Sequence, residues 1–304
     1  MKRLSILLVS LGAVALLHAQ PKSYISVWGE AGESSFLTSI ENAASSTSFG
    51  VGGGVGAGYE MHVSKFMWTA GLHFNTLHNS FRLGNIENSF DAVDDEGDAF
   101  LFTYRQNNRR DSYTEMSLQI PVMLGADLGR FYFLAGVKMD FSLFGRSRVK
   151  TVLTSSGEYV DLIDPLSGMP EHGFFNDMAF NQKAKFSFRT DVMLSAELGF
   201  NLGMVTKETG YDVPKSKRKY RIALFADYGF LDRHNPSDLE SITLPTSFDA
   251  GSMADGITVN NILSTNQVHG KVNNLLVGIK FTVLFKLPEA SKCVICEYDP
   301  PMRW

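Results

Sequence analysis

Residues 49 to 61 alternate with a period of two. Phe49, Val51, Val55, Ala57, Tyr59 and Met61 fall on one face, with Gly53 among them, and Gly50, Gly52, Gly54, Gly56, Gly58 and Glu60 fall on the other. That period puts successive side chains on opposite sides of a β-strand. One side is apolar and the other nearly bare. A bare side suits a narrow interior whose large side chains come from neighbouring strands.

The pattern recurs along the chain. Phe66, Trp68, Ala70, Leu72 and Phe74 oppose Met67, Thr69, Gly71, His73 and Asn75, and only His62 to Lys65 separate this run from the first, as in a hairpin. A second hairpin turns at Asp127-Leu128-Gly129: Met116, Leu118, Ile120, Val122 and Leu124 lead in, and Phe131, Phe133, Ala135, Val137, Met139, Phe141 and Leu143 lead out. Further runs cover residues 185–203 (Phe186, Phe188, Val192, Leu194, Ala196, Leu198, Phe200), 220–231 (Tyr220, Ile222, Leu224, Ala226, Tyr228, Phe230) and 274–285 (Leu275, Val277, Ile279, Phe281, Val283, Phe285). With a shorter, mixed run from Tyr24 to Glu30, eight strands are expected. The connections alternate short and long, the long ones near 33–47, 79–112, 145–184 and 232–270. Short turns at one end and long loops at the other predict an all-β, eight-stranded antiparallel transmembrane up-and-down barrel with long extracellular loops.

The start of the chain agrees with export. Lys2 and Arg3 precede an apolar run from Leu4 to Leu17, and small Ala19 offers a cleavage point, so residues 1–19 are expected to be a signal peptide. The barrel is then expected over 20–286, with a short periplasmic tail over 287–304. No segment approaches the roughly 20 apolar residues of a spanning helix, so insertion has to use strands. The net charge of -4 becomes -6 without Lys2 and Arg3. No basic stripe survives for a nucleic-acid partner.

A soluble barrel also alternates, with its apolar face inward. Here the polar faces carry charges of both signs on strand after strand: Glu60, Glu115, Lys138, Asp140, Arg189, Asp191, Glu197, Arg221, Asp227 and Lys280. Bulky aromatics gather at the margins of the apolar faces, as interfacial girdles do. The charged face is therefore expected to line the lumen. Glu60, Lys138, Asp140, Arg189, Glu197, Asp227 and Lys280 are the candidate lumen residues. An eight-stranded barrel is only wide enough for its own side chains, so paired charges are expected to plug it.

Three segments carry a family likeness: Tyr-Thr-Glu-Met-Ser-Leu-Gln-Ile-Pro-Val-Met-Leu from Tyr113 to Leu124, Phe-Tyr-Phe-Leu-Ala-Gly from Phe131 to Gly136, and Val-Gly-Ile-Lys-Phe-Thr-Val-Leu-Phe from Val277 to Phe285. On these the chain resembles the outer-membrane β-barrel family of Bacteroidetes, related in shape to small OmpA-like and PorT-like barrels. Gln119 stands where the family commonly has an acid before Ile-Pro. The last segment is similar to the strand signal read by the barrel assembly machinery, which the resemblance implies as a partner, although nineteen residues follow Phe285. That tail is too short for a peptidoglycan-binding domain, so cell-wall anchoring is not implied.

Other chemistry is thinly signalled. Cys293 and Cys296 form a lone CxxC in the expected tail, read as a disulfide or inert thiols. His73, His78 and His234 are the candidate histidines for acid–base chemistry, and Asp232 or Asp140 could approach His73, but no spacing separates this from a hydrogen-bonded lumen histidine. Asp91, Asp94, Asp95, Glu96 and Asp98 lack the spacing of a calcium loop. The expectation is a non-enzymatic barrel of the cell outer membrane with a structural or interaction role. It would bear no cofactor and no metal, contact outer-membrane lipid and possess an envelope protein partner. The alternative is a narrow channel for small solutes; behind it stand an outer-membrane hydrolase and a component of a secretion or gliding apparatus.

Overall fold

The computed structural model describes residues 21–40, 46–94, 97–202, 218–234, 239–244 and 256–288. The expected signal peptide and Cys293 and Cys296 lie outside these residues. The strands are β1 (Lys22–Ile40), β2 (Ser46–Val63), β3 (Phe66–Leu83), β4 (Ile86–Val93), β5 (Ala99–Asp127), β6 (Phe131–Tyr159), β7 (Leu166–Ser167), β8 (Met178–Lys185), β9 (Asp191–Leu202), β10 (Arg218–Gly229), β11 (Ile242–Thr243), β12 (Thr258–Val259) and β13 (Val268–Lys286).

Eight of them close into a ring. β1 pairs with β2, β2 with β3, β3 with β5, β5 with β6, β6 with β9, β9 with β10 and β10 with β13, and β13 returns to β1, every pair antiparallel. Closure leaves these strands without a free edge through the ring.

The alternation decides which face lies inward. Val27, Phe49, Val55, Leu72, Phe74, Val122, Leu124, Phe133, Met139, Leu198, Leu224, Ile279 and Phe281 are exposed on the outer face. Among the described outward positions of this belt, Glu33 on β1 is the single charge. The glycine-rich face of β2 lies inside, and a large side chain does fill the room it leaves. A Cβ at Gly56 would come within 2.4 Å of the Trp28 indole. At the foot of the barrel, Gly129 has a φ of 89° in the turn from β5 to β6, and its N–H donates to Asp127 Oδ1.

The wall stands taller than expected. Residues 79–112 and 145–184, expected as loops, are largely strand: β3 runs to Leu83, and β5 and β6 are 29 residues each. β1 likewise runs to Ile40, and β2 begins at Ser46. In these extensions the alternation persists with its outward face changed from apolar to polar. On β5, Phe100, Phe102 and Tyr104 point in while Thr103 and Arg105 are exposed. A search for apolar outward faces passes over such strands.

A register shift where Met116 pairs with Phe144 and Ser117 with Ser142 lets Leu143 and Phe144 both face out, after which even-numbered residues of β6 take the outer face. Phe186 and Phe188 also depart from their expected places. Both were expected on the outer face, but they lie ahead of β9, which begins at Asp191. They turn inward against Phe36, Phe81 and Tyr113.

Gly56→Ala is expected to lower stability by about 1–3 kcal/mol, because the Trp28 ring must move to admit one methyl group. The unfolding midpoint of the purified protein in urea checks this, and a midpoint equal to wild type would mean the indole does not fill that space.

Candidate functional site inside the barrel

The inward positions build a column of ion pairs in three layers. In the lowest, Arg221 on β10 donates from Nη1 to Glu60 Oε1 at 2.7 Å and from Nε to Asn201 Oδ1 at 2.9 Å. Its guanidinium lies 4.4 Å above the Tyr132 ring. His62 bonds Glu60, and Asp127 approaches Arg221 Nη2 at 3.7 Å.

The middle layer joins seven strands. Lys138 Nζ on β6 sits 2.7 Å from Asp227 Oδ2 on β10 and 3.4 Å from Glu30 Oε1 on β1. His73 on β3 contacts Gln119 Oε1 on β5 at 2.9 Å and Glu30 at 3.4 Å. Lys280 on β13 pairs with Glu197 on β9 at 2.8 Å and lies over the Trp28 ring, and Tyr132 donates to the same Glu197. The cavity between the lower and middle layers, lined by Trp28, Glu60, Met123, Glu197, Arg221 and Lys280, admits about one water.

The upper layer is held by Arg233, which no strand supplies. It enters from the segment after β10, fully buried. Its Nη2 reaches Glu115 at 2.6 Å and Asp140 at 2.9 Å, and Asp191 lies 3.9 Å from its Nε. The Phe188 ring packs 5.2 Å from the guanidinium.

Above this layer an apolar lid crosses the mouth. Ile262 and Leu263 are fully buried among Phe36, Tyr113, Phe186 and Phe188. The Ile262 N–H donates to Asp111 Oδ2 at 2.6 Å and the Leu263 N–H to Tyr113 Oη at 3.1 Å. Asp111 in turn holds Arg109 through two hydrogen bonds of 2.9 Å. Burial pulls the Arg109 pKa down, but Asp111 and the neighbouring Tyr113 and Tyr104 hydroxyls push it above the ordinary arginine value. The lid is therefore pinned by a charged pair.

Of the expected lumen set, Glu60, Lys138, Asp140, Glu197, Asp227 and Lys280 all lie buried inside. Arg189 does not. It is exposed, because the chain ahead of β9 has lost strand register and its neighbours Phe186 and Phe188 have taken the interior. The cation that meets Asp140 and Asp191 is Arg233, from a segment without alternation to mark it. Glu30 also lies inside, at the end of a run too short and mixed to assign faces.

Three histidines were candidates for an acid–base pair. His73 meets Gln119 and Glu30, not Asp140 or Asp232, and His78 faces outward onto Thr114. His234 Nδ1 lies 2.6 Å from Asp232 Oδ1, so one pair of that kind is assembled at the rim. Among the described residues no group of His, Cys, Asp and Glu is arranged to hold a metal ion.

No family model and no curated protein sequence matches the chain. Among solved structures it is similar to the outer membrane protease OmpT from Escherichia coli, with 8% identity over 88% of this chain and 96% of that chain, at a TM-score of 0.26. The expectation of a non-enzymatic chain is corrected on this finding, since the similar structure is a protease. A likeness at that score assigns no role to any residue here, and the class rests on the chain's own pairing: an all-β, antiparallel sheet closed into a ring over eight strands.

Arg233→Ala removes the cation shared by three buried carboxylates and is expected to cost about 3–5 kcal/mol. Arg189→Ala, at an exposed position where a solvent-screened pair is worth at most about 1 kcal/mol, should cost no more than that. Urea titration of both variants checks the assignment; equal losses would mean that the two arginines have been placed wrongly.

Proposed function

We propose that the chain is an integral outer-membrane barrel, eight-stranded and up-and-down, of the Bacteroidetes type its sequence resembles. In this reading its lumen is closed by the ion-pair column and it acts as a structural or docking element through the wall that rises above the apolar belt. The observation that carries this is the inverted distribution of side chains, with Lys138, Asp227, Glu30, Arg221 and Glu60 buried inside and Leu72, Leu124, Leu198, Leu224 and Ile279 exposed outside.

In water such an outer face would be a large continuous apolar surface. In a bilayer it is the matching solvent. The dimension agrees. From Phe131 to Phe141 the belt on β6 is ten steps of about 3.3 Å, which at a strand tilt of about 40° spans roughly 25 Å, the height of an outer-membrane apolar band. Insertion would depend on the barrel assembly machinery and outer-membrane lipid, and the tall wall would face outside with the short turns in the periplasm. A docking role supports an envelope protein as partner.

The protein is expected to fractionate with outer membranes and to migrate faster unboiled than boiled on gels, because a closed barrel stays compact in detergent. Leu224→Arg, at a position 64% exposed in mid-belt, should cost about 2–4 kcal/mol of folding stability in lipid. Recovery of wild type in the soluble periplasm would end this reading. Steady single-channel conductance in a planar bilayer would replace the closed lumen with the channel alternative.

A second reading, hydrolytic, is favoured by the Asp232–His234 pair, a histidine oriented by a carboxylate as a general base is. It requires that the wild-type protein cleave a fluorogenic peptide and that His234→Ala abolish the cleavage.

A further inference from the structure

Directly above the apolar belt, the outer faces of β3, β5, β6 and β8 form a grid whose rows follow from the pairing. The lowest row is His78, Thr114, Arg146 and Lys185; the next is Ser80, Ser112, Arg148 and Lys183; the third is Arg82, Arg110, Lys150 and Asn181. Seven of the twelve positions are Arg or Lys, and none is Asp or Glu.

Like charges directly opposite one another destabilise a sheet. Here Arg82, Arg110 and Lys150 are consecutive partners, Arg146 faces Lys185, and Arg148 faces Lys183. Among the described residues none of the seven has a carboxylate partner. Arg110 reaches Ser80 at 3.4 Å, Arg148 donates to Asn181 at 2.8 Å, and Arg146 lies over the Phe144 ring. Beyond the register shift at Asn107–Arg110, the sheet returns to ordinary chemistry, with Arg105 paired to Glu87. The uncompensated charge is thus confined to three rows.

Those rows begin one outward position above Met116 and Phe144. At about 3.3 Å per residue and a tilt of about 40°, they lie roughly 5–15 Å beyond the belt, at headgroup depth. Four strands about 4.8 Å apart and three rows about 6.6 Å apart give a patch of roughly 14 by 13 Å. That is wider than one phosphate, and arginine's planar fork suits phosphate oxygens.

We infer that this grid binds the headgroup of a phosphorylated acyl-disaccharide of the outer leaflet, a lipid A-type glycolipid, with its phosphates on the arginines and its acyl chains along Phe74, Leu118 and Phe141. The inference rests on the membrane reading above. Its occupant is chosen by charge complementarity, by the extent of the patch and by its continuity with the apolar belt.

The test uses folded protein in detergent and fluorescent diphosphoryl lipid A, with phosphatidylglycerol as competitor. Wild type should bind lipid A, and phosphatidylglycerol should compete poorly. The fourfold variant Arg110→Ser, Arg146→Ser, Arg148→Ser, Lys150→Ser should lose at least about tenfold in affinity, since each lost charge-assisted hydrogen bond is worth about that much. Should that variant misfold, the pair Arg82→Ser and Arg110→Ser should show a smaller loss in the same direction. Equal binding by variant and wild type, equal competition by phosphatidylglycerol, or no binding at all, as for a patch that docks an acidic protein instead, would overturn the inference. Insertion of the same preparations into phosphatidylcholine vesicles separates the two levels: failure of wild type to insert removes the membrane reading and this inference with it, whereas normal insertion without selective lipid A binding removes this inference alone.

Discussion

Everything in this protein depends on the return of β13 to β1, from Tyr24 opposite Lys286 up to Ile40 opposite Val268. Without that seam the eight strands would be an open sheet with two long edges, and the inward charges would face water from one side. With it, each strand has a hydrogen-bonded neighbour on both sides and the polar face encloses a narrow interior. Burial of charge is then unavoidable. Desolvation of ions costs several kcal/mol apiece unless partners repay it. The layered pairs of Arg221, Lys138, Lys280 and Arg233 are that repayment, and each links elements distant in sequence. The column ties the ring across its diameter as the backbone ladder ties it around its circumference.

Two devices close the space between these pairs. Small residues on one strand admit large ones from the next, as Gly56 admits Trp28 and Gly199 admits Tyr132. At the top, Arg233 and the Ile262–Leu263 lid are brought in by connecting segments, and they turn a ring into a stoppered vessel. The pairs also tie each strand to one register. A slip of one residue would carry Lys138 outward and Val137 inward, and every layer would lose its partners at once.

The spanning part of this architecture was legible because its two faces differ so sharply: Phe131, Phe133 and Met139 against Tyr132, Lys138 and Asp140 is a pattern with one simple solution. Six of the seven lumen residues named from the sequence followed from that parity alone. The failures also have a common physical origin. Above the belt, where Arg146, Arg148 and Lys150 replace the apolar outward residues, the alternation continues but no longer resembles a spanning strand, so from sequence the tall wall reads as loops. Parity carried through Phe186, Phe188 and Arg189 failed because the chain is not in a strand there. Arg233 lies in irregular chain, where no period exists to count, and only its counter-charges, which are distant in sequence, could have pointed to it.

The central claim is that the molecule is apolar outside and ionic inside across the belt, and spin labels along β10 test it most directly. With Cys293 and Cys296 replaced by serine, single cysteines from Tyr220 to Tyr228 would carry a nitroxide in the lipid-reconstituted protein, and collision with oxygen and with a water-soluble nickel chelate would be recorded at each. The account predicts high oxygen and low nickel access at 220, 222, 224, 226 and 228, with low access to both reagents at 221, 223, 225 and 227. Nickel access at 222 to 226, or an alternation of opposite phase, would contradict it.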